Sequence, residues 1–183
     1  MEKYIPDIYQ KSIYSINYDL LYSRGIRCLL IDLDNTIAPI TIKAPTKRVR
    51  ELFDDLKTKG FKVIIFSNSF KKRIKPFKDA LDVDCCAASR KPNKKKYLKI
   101  MAEYNYDVSQ VASIGDQLLT DIKGGNNIGI TTILVNPIGT KERVWTKINR
   151  YFENKIYLVS NDIVATVSGA TFDDDVFIQA KNE

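Results

Sequence analysis

The stretch Cys28-Leu29-Leu30-Ile31-Asp32-Leu33-Asp34-Asn35-Thr36 decides how this chain is read. Its first half is a short, unbroken apolar run, the pattern of a strand buried on both faces. It ends in two carboxylates. Asp32 and Asp34 lie two residues apart where the strand ends, so both can point toward one site.

Working outward, Val49, Leu52, Phe53 and Leu56 fall on one helix face, with Pro45 suited to the first turn and Gly60 past the end. Residues 63–66 read as a second buried strand. Residues 71–81 look helical, with Pro76 expected at a kink or a helix start. Residues 83–88 suit a third strand. Residues 94–104 suit a helix with Tyr97, Leu98 and Met101 on one face. Residues 111–114 make a fourth strand that leads into Gly115-Asp116. Residues 118–123 make a short helix stopped by Gly124-Gly125, and residues 131–135 a fifth strand. Strands alternating with helices predict an α/β fold, a parallel sheet with helices on both faces.

The chain has 183 residues, 20.9 kDa and 44% hydrophobic residues, enough for one globular domain and too apolar for disorder. It contains no histidine, which excludes Ser-His-Asp hydrolysis, Cys-His proteolysis and imidazole-dependent zinc sites. Cys28, Cys85 and Cys86 are odd in number, two of them adjacent, and each lies in an apolar stretch. They read as core thiols in a reducing compartment rather than as a disulfide framework, a redox pair or metal ligands. No segment resembles a signal core or a membrane span, so a cytoplasmic location is expected.

The net charge is +7, but residues 156–183 carry five acids and one base, which leaves +11 on the first 155 residues. Residues 1–27 form a Tyr- and Ile-rich arm expected to pack on the core. Residues 28–155 are expected to form the alternating α/β domain, and residues 156–183 an acidic extension.

In open parallel sheets, ligands bind beyond the carboxyl ends of the strands. Asp32 and Asp34 follow the first strand, Ser67 and Asn68 the second, Arg90 and Lys91 the third, and Gly115-Asp116 the fourth, with Asp121 further on. Gathering three carboxylates is unfavourable unless a cation offsets their repulsion. An all-oxygen set without imidazole points to Mg²⁺. A metal-neutralised carboxylate beside an amine and a hydroxyl is the equipment of phosphoryl transfer.

The ordered set resembles the haloacid dehalogenase (HAD) superfamily: Asp32-Leu33-Asp34-Asn35-Thr36, then Ser67, then Lys91 in Arg90-Lys91-Pro92, then Gly115-Asp116 with Asp121. Pro6-Asp7-Ile8-Tyr9, Gly25-Ile26, Gly124-Gly125-Asn126 and residues 145–150 narrow the likeness to the YqeG-type family IIIA phosphatases. The resemblance implies that Asp32 is the nucleophile forming an aspartyl-phosphate and that Asp34 is the general acid/base. It implies that Ser67, with Asn68, contacts the phosphoryl group and that Lys91 steadies nucleophile and phosphate. Mg²⁺ would be held by the carboxylates of Asp32 and Asp116 and the backbone carbonyl of Asp34, with Asp121 behind them.

Between Asp34 and Ser67 lie 32 residues, and between Ser67 and Lys91 lie 23, too few for a cap domain. In this superfamily that implies a large or surface-bound phosphate. Eukaryotic relatives act in mitochondria on phosphatidylglycerophosphate, so a lipid phosphate and peripheral contact with anionic membrane are natural expectations. Blander readings are a helix-capping Ser67 and solvated faces at Lys71-Lys72-Arg73 and Lys94-Lys95-Lys96; the sharper reading of Lys71-Lys72-Arg73 is a rim that attracts anionic substrate or a phospholipid surface. The rival from another class is a basic nucleic-acid- or ribosome-binding module on the same scaffold, motivated by the +11. The oligomeric state is not legible.

Overall fold

In a computed structural model, residues 2–138 are described. Six parallel strands form one sheet: β1 (Ile8–Gln10), β2 (Cys28–Ile31), β3 (Lys62–Phe66), β4 (Asp84–Cys86), β5 (Val111–Gly115) and β6 (Thr131–Val135). Their order is β1-β6-β5-β2-β3-β4. The helices are α1 (Tyr18–Ser23), α2 (Lys47–Thr58), α3 (Lys71–Leu81), α4 (Lys94–Tyr104) and α5 (Lys123–Asn126). Each parallel connection must cross back over the sheet, and every strand therefore presents its carboxyl end at the same edge.

Alternation along the strands divides the core between two faces. Leu29, Ile31, Val63, Ile65 and Ile114 pack against Val49, Phe53 and Leu56 of α2 and Ile74, Phe77 and Leu81 of α3. On the other face Leu30, Ile64, Phe66 and Val111 meet Tyr97, Ile100 and Met101 of α4. Leu98 is thus not a core residue: it is 50% exposed, and Ile100 takes the inward place expected of it. A step of roughly 100° per residue puts 97, 100 and 101 together and turns 98 away.

Between β2 and β3 the chain spends its length on a loop and α2, and between β3 and Lys91 on α3 and β4. No cap domain interrupts the described residues. Several local expectations are corrected. Thr46, not Pro45, opens α2: its Oγ1 accepts a hydrogen bond from the Val49 N–H at 3.3 Å. Pro76 lies inside α3 rather than at its start. Pro76 and Lys72 are both exposed, so water can satisfy the Lys72 carbonyl that proline leaves without a helical partner.

Gly124-Gly125 does not stop the helix that follows β5. A wide turn, Leu118–Ile122, runs directly into α5, which contains both glycines. They are needed for close approach. A Cβ on Gly124 would stand 2.5 Å from the Tyr97 hydroxyl, and one on Gly125 2.5 Å from Thr132 Cγ2.

The N-terminal segment does more than lie on the core, because Ile8–Gln10 adds an edge strand beside β6. Asp7 anchors it. Its Oδ2 accepts from the Thr132 N–H and the Thr132 hydroxyl, each at 2.8 Å, while its own N–H donates to the Thr132 carbonyl at 3.0 Å. Ile13, Ile16 and Leu21 then bury their side chains. Asp7→Ala should cost about 2 kcal/mol, since hydrogen bonds to a charged group are lost. The check is a lower thermal midpoint together with faster amide exchange at Ile8, Tyr9 and Gln10; unchanged exchange there would remove Asp7 as the anchor.

Residues 139–183 lie outside the described structure, so the 145–150 motif and the acidic extension at 156–183 are known from sequence alone.

Candidate active site

Asp32 is the first residue beyond β2 and continues the sheet pairing, its N–H donating to the Ile114 carbonyl at 2.9 Å. Its carboxylate is buried and meets the ammonium of Lys91, with Nζ 2.7 Å from Asp32 Oδ1. The same ammonium reaches Asp121 Oδ1 at 2.5 Å and the Phe66 carbonyl at 2.8 Å. All three donor hydrogens of Lys91 are thus spent, two on carboxylates and one on a strand end. Burial alone would lower the Lys91 pKa, but Asp121 and Asp32 outweigh it and hold the amine charged, above the ordinary lysine range. Burial pushes the Asp32 carboxyl up to about 6; Lys91 opposes the shift, and Asp121 and Asp34 add to it. Of the lysines that competed in sequence, Lys94, Lys95 and Lys99 are exposed and Lys96 half-buried.

Lys91 is placed by the loop that precedes it, where Ala88 and Arg90 both adopt positive φ. Asn68 clamps that loop. Its Oδ1 accepts from the Lys91 N–H and the Ser89 hydroxyl, both at 2.8 Å, and its Nδ2 donates to the Lys91 carbonyl at 3.3 Å. Asn68, expected on the phosphoryl group, is therefore engaged in bracing the Lys91 loop. Ser67 is buried at the end of β3 and accepts from the Ser69 N–H at 3.2 Å. It does not cap α3, whose N-cap position belongs to Phe70.

Asp34 is gripped by Arg73 and Ser69, neither of which the sequence had tied to it. Arg73 Nε donates to its Oδ1 at 2.9 Å, and the Ser69 hydroxyl donates to its Oδ2. The rest of the Arg73 guanidinium ties down the loop after β2, reaching the Ile42 carbonyl at 2.6 Å and the Pro39 carbonyl at 3.2 Å. Arg73 sat in a Lys-Lys-Arg run that read as solvated charge, and its register on α3 is what singles it out.

Asp116, buried at the end of β5, accepts from the Thr36 hydroxyl at 3.2 Å, linking the first and fourth motifs. Asp121 turns back over the strand end and accepts from the Gln117 N–H at 3.2 Å. Gly115 makes this possible, since a Cβ there would lie 2.1 Å from Asp121 Cγ. Asp121 is thus the second anchor of Lys91.

Four carboxylates (Asp32, Asp34, Asp116, Asp121) gather at this edge with Lys91 and Arg73. Such an all-oxygen donor set favours a hard ion. Among the described residues no three His, Cys, Asp or Glu side chains gather as a metal cluster. The set implied by the resemblance, two carboxylate side chains and one main-chain carbonyl, is all oxygen, which is the donor chemistry of a hard ion.

A family model described as HAD-hydrolase-like matches residues 88–157. The probable phosphatase YqeG of Bacillus subtilis is 35% identical over 153 residues, covering 84% of this chain and 89% of its own. The chain belongs to the YqeG family of HAD phosphatases. Another relative of this YqeG-family chain is the chloroplastic phosphatidylglycerophosphate phosphatase 1 of Chlamydomonas reinhardtii, 24% identical over 145 residues, 74% of this chain and 54% of that protein. In structure, 3-deoxy-D-manno-octulosonate 8-phosphate phosphatase of Moraxella catarrhalis, solved with magnesium, phosphate and KDO, is similar with a TM-score of 0.54. It is 16% identical and covers 66% of this chain and 75% of its own, a likeness that establishes the fold alone. The YqeG-family chain is thus a phosphatase built on the HAD fold. No helix among its described residues is long and apolar enough to cross a membrane.

Proposed function

We propose that this phosphatase hydrolyses a phosphomonoester through an aspartyl-phosphate on Asp32, with Mg²⁺ held by the carboxylates of Asp32 and Asp116 and the backbone carbonyl of Asp34. The observation that carries the reading is the buried Lys91 ammonium bridging Asp32 and Asp121 at the carboxyl edge of the sheet. Lys91 orients the Asp32 carboxylate, which attacks phosphorus, and supplies positive charge to the phosphate oxygens. The Ser67 hydroxyl steadies the phosphoryl group. Asp34 protonates the leaving oxygen and then deprotonates the water that releases phosphate from Asp32. When bound, the cation neutralises the carboxylates and polarises the phosphoryl oxygens. A chelator should silence turnover of an aryl phosphate and added Mg²⁺ restore it. Intact-mass analysis after acid quench should find a phosphoryl adduct on the chain; full turnover in excess EDTA would sink the reading.

Protons and metal compete for Asp32. Its carboxyl is raised to about 6, so below that pH the group is increasingly protonated and must lose a proton to bind the ion. Apparent Mg²⁺ affinity should fall by about tenfold for each unit below pH 6. Mg²⁺ titrations of activity at two acid pH values and at neutrality measure this. An affinity flat across that range would place the metal away from Asp32.

The proposed substrate is large or lipid-like, in the manner of phosphatidylglycerophosphate. The absence of a cap between β2 and Lys91 supports it, as does the named activity of the algal relative. A panel of phosphomonoesters that includes phosphatidylglycerophosphate and nucleotides tests it, and preference for nucleotides would count against it.

A further inference from the structure

Three helices begin at the catalytic edge, because each follows the carboxyl end of a strand. Their first turns read Lys47-Arg48-Val49-Arg50 in α2, Lys71-Lys72-Arg73 in α3 and Lys94-Lys95-Lys96 in α4, and none contains an acid. This is the wrong sign for a helix N-terminus, where the macrodipole favours carboxylates. Acids come later instead, at Glu51, Asp54, Asp55, Asp79 and Glu103. Arg73 is explained by Asp34. Lys71, Lys72, Lys94 and Lys95 are exposed, and their charge opposes local preference in helices on both faces of the sheet. A local rule broken repeatedly at one edge marks a functional demand.

Phe70 breaks two more rules. It occupies the N-cap position of α3, which favours Ser, Thr, Asp or Asn, and makes no capping hydrogen bond. It is also 74% exposed, so it gains neither a cap nor burial. Ile42, 40% exposed, is held at the same end of α3 by the Arg73 hydrogen bond to its carbonyl. An exposed aromatic and an exposed aliphatic thus sit among lysines beside the mouth of the site.

We propose that this edge is a docking face for the surface of an anionic phospholipid bilayer. Phe70 and Ile42 enter the headgroup region, and the first turns of α3 and α4 supply the attractive charge. Cations with interspersed apolar side chains are what such a surface selects. Nucleic acid would use the cations and could stack on Phe70, but it gives an aliphatic side chain such as Ile42 nothing to enter. The proposal rests on the preceding reading in one respect, that this edge is the catalytic one: docking would present the Asp32 mouth to the headgroups.

The test uses the whole chain and vesicles that contain no phosphomonoester, either phosphatidylcholine mixed equally with phosphatidylglycerol or phosphatidylcholine alone. The protein should co-sediment with the anionic vesicles only, and less as salt rises. Lys71→Gln with Lys72→Gln should weaken binding by roughly 25-fold, about fivefold for each cation. Phe70→Ser should weaken it by roughly tenfold. Both variants should melt at or above the wild-type midpoint and turn over a soluble aryl phosphate at the wild-type rate. Failure of the wild type to bind anionic vesicles would overturn the proposal. So would vesicle binding indifferent to all these substitutions, or equally strong binding to single-stranded RNA that Phe70→Ser leaves intact. Vesicle binding without phosphatase turnover would instead overturn the catalytic reading and leave the docking face standing.

Discussion

Asp32→Asn is expected to lower turnover of an aryl phosphate by about 10⁴-fold or more, the scale seen when a covalent nucleophile is removed. The amide is nearly isosteric, so the chain should still fold. Asp32 contributes one acceptor to Lys91, whose other two bonds, to Asp121 and the Phe66 carbonyl, remain. Folding should even gain slightly at neutral pH. Asp32 binds its proton more tightly folded, at about 6, than at its ordinary value of 3.8, so its ionisation lowers stability as pH rises through that window. The expected pattern is therefore a dead enzyme with an equal or higher thermal midpoint and no phosphoryl adduct. Near-normal turnover by this variant in Mg²⁺ would remove Asp32 as nucleophile.

Lys91→Met should lose activity and stability together. Two buried carboxylates, Asp32 and Asp121, would lose the charge that offsets them. Breaking a buried pair from one side costs about 3–5 kcal/mol, or a thermal midpoint lower by about 10 °C. The loss should shrink in acid, because Asp32, raised to about 6, can then be neutralised by a proton. Adding Asp121→Leu should recover much of the stability, since an apolar replacement of a buried pair is often tolerated. It should recover none of the activity. Lys91→Met with a wild-type melting curve would mean that the bridge contributes nothing to the fold, and recovery of turnover in the double variant would remove Lys91 from the chemistry.

Much of this arrangement was legible in one dimension because two repeating constraints govern it. Apolar runs at residues 28–31 and 63–66 read as buried strands, and a residue directly after a parallel strand must lie at the shared edge. Asp32, Ser67, Lys91 and Asp116 were found by that rule. It failed where side-chain direction mattered. Arg73 and Lys72 are adjacent and alike in sequence, yet one holds Asp34 and the other faces water, a difference set by the helix register. Asn68 could be placed at the edge, but not turned toward the Lys91 loop. Gly124-Gly125 read as a terminator because its local propensity is poor. The Tyr97 hydroxyl and the Thr132 methyl, distant in sequence, make those positions tolerate nothing larger.

The sequence by itself determined the fold class, the sheet edge where the candidate residues meet and the chemical types gathered there, because strand burial and chain order are local or topological properties. Only the tertiary structure decided that Lys91 is shared between Asp32 and Asp121, that Gly115 is small so that Asp121 can fold back, and that Asp7 ties an added strand to Thr132. Each of these joins residues tens of positions apart, or depends on one missing Cβ. Such contacts follow from packing in three dimensions, which periodicity along the chain does not encode.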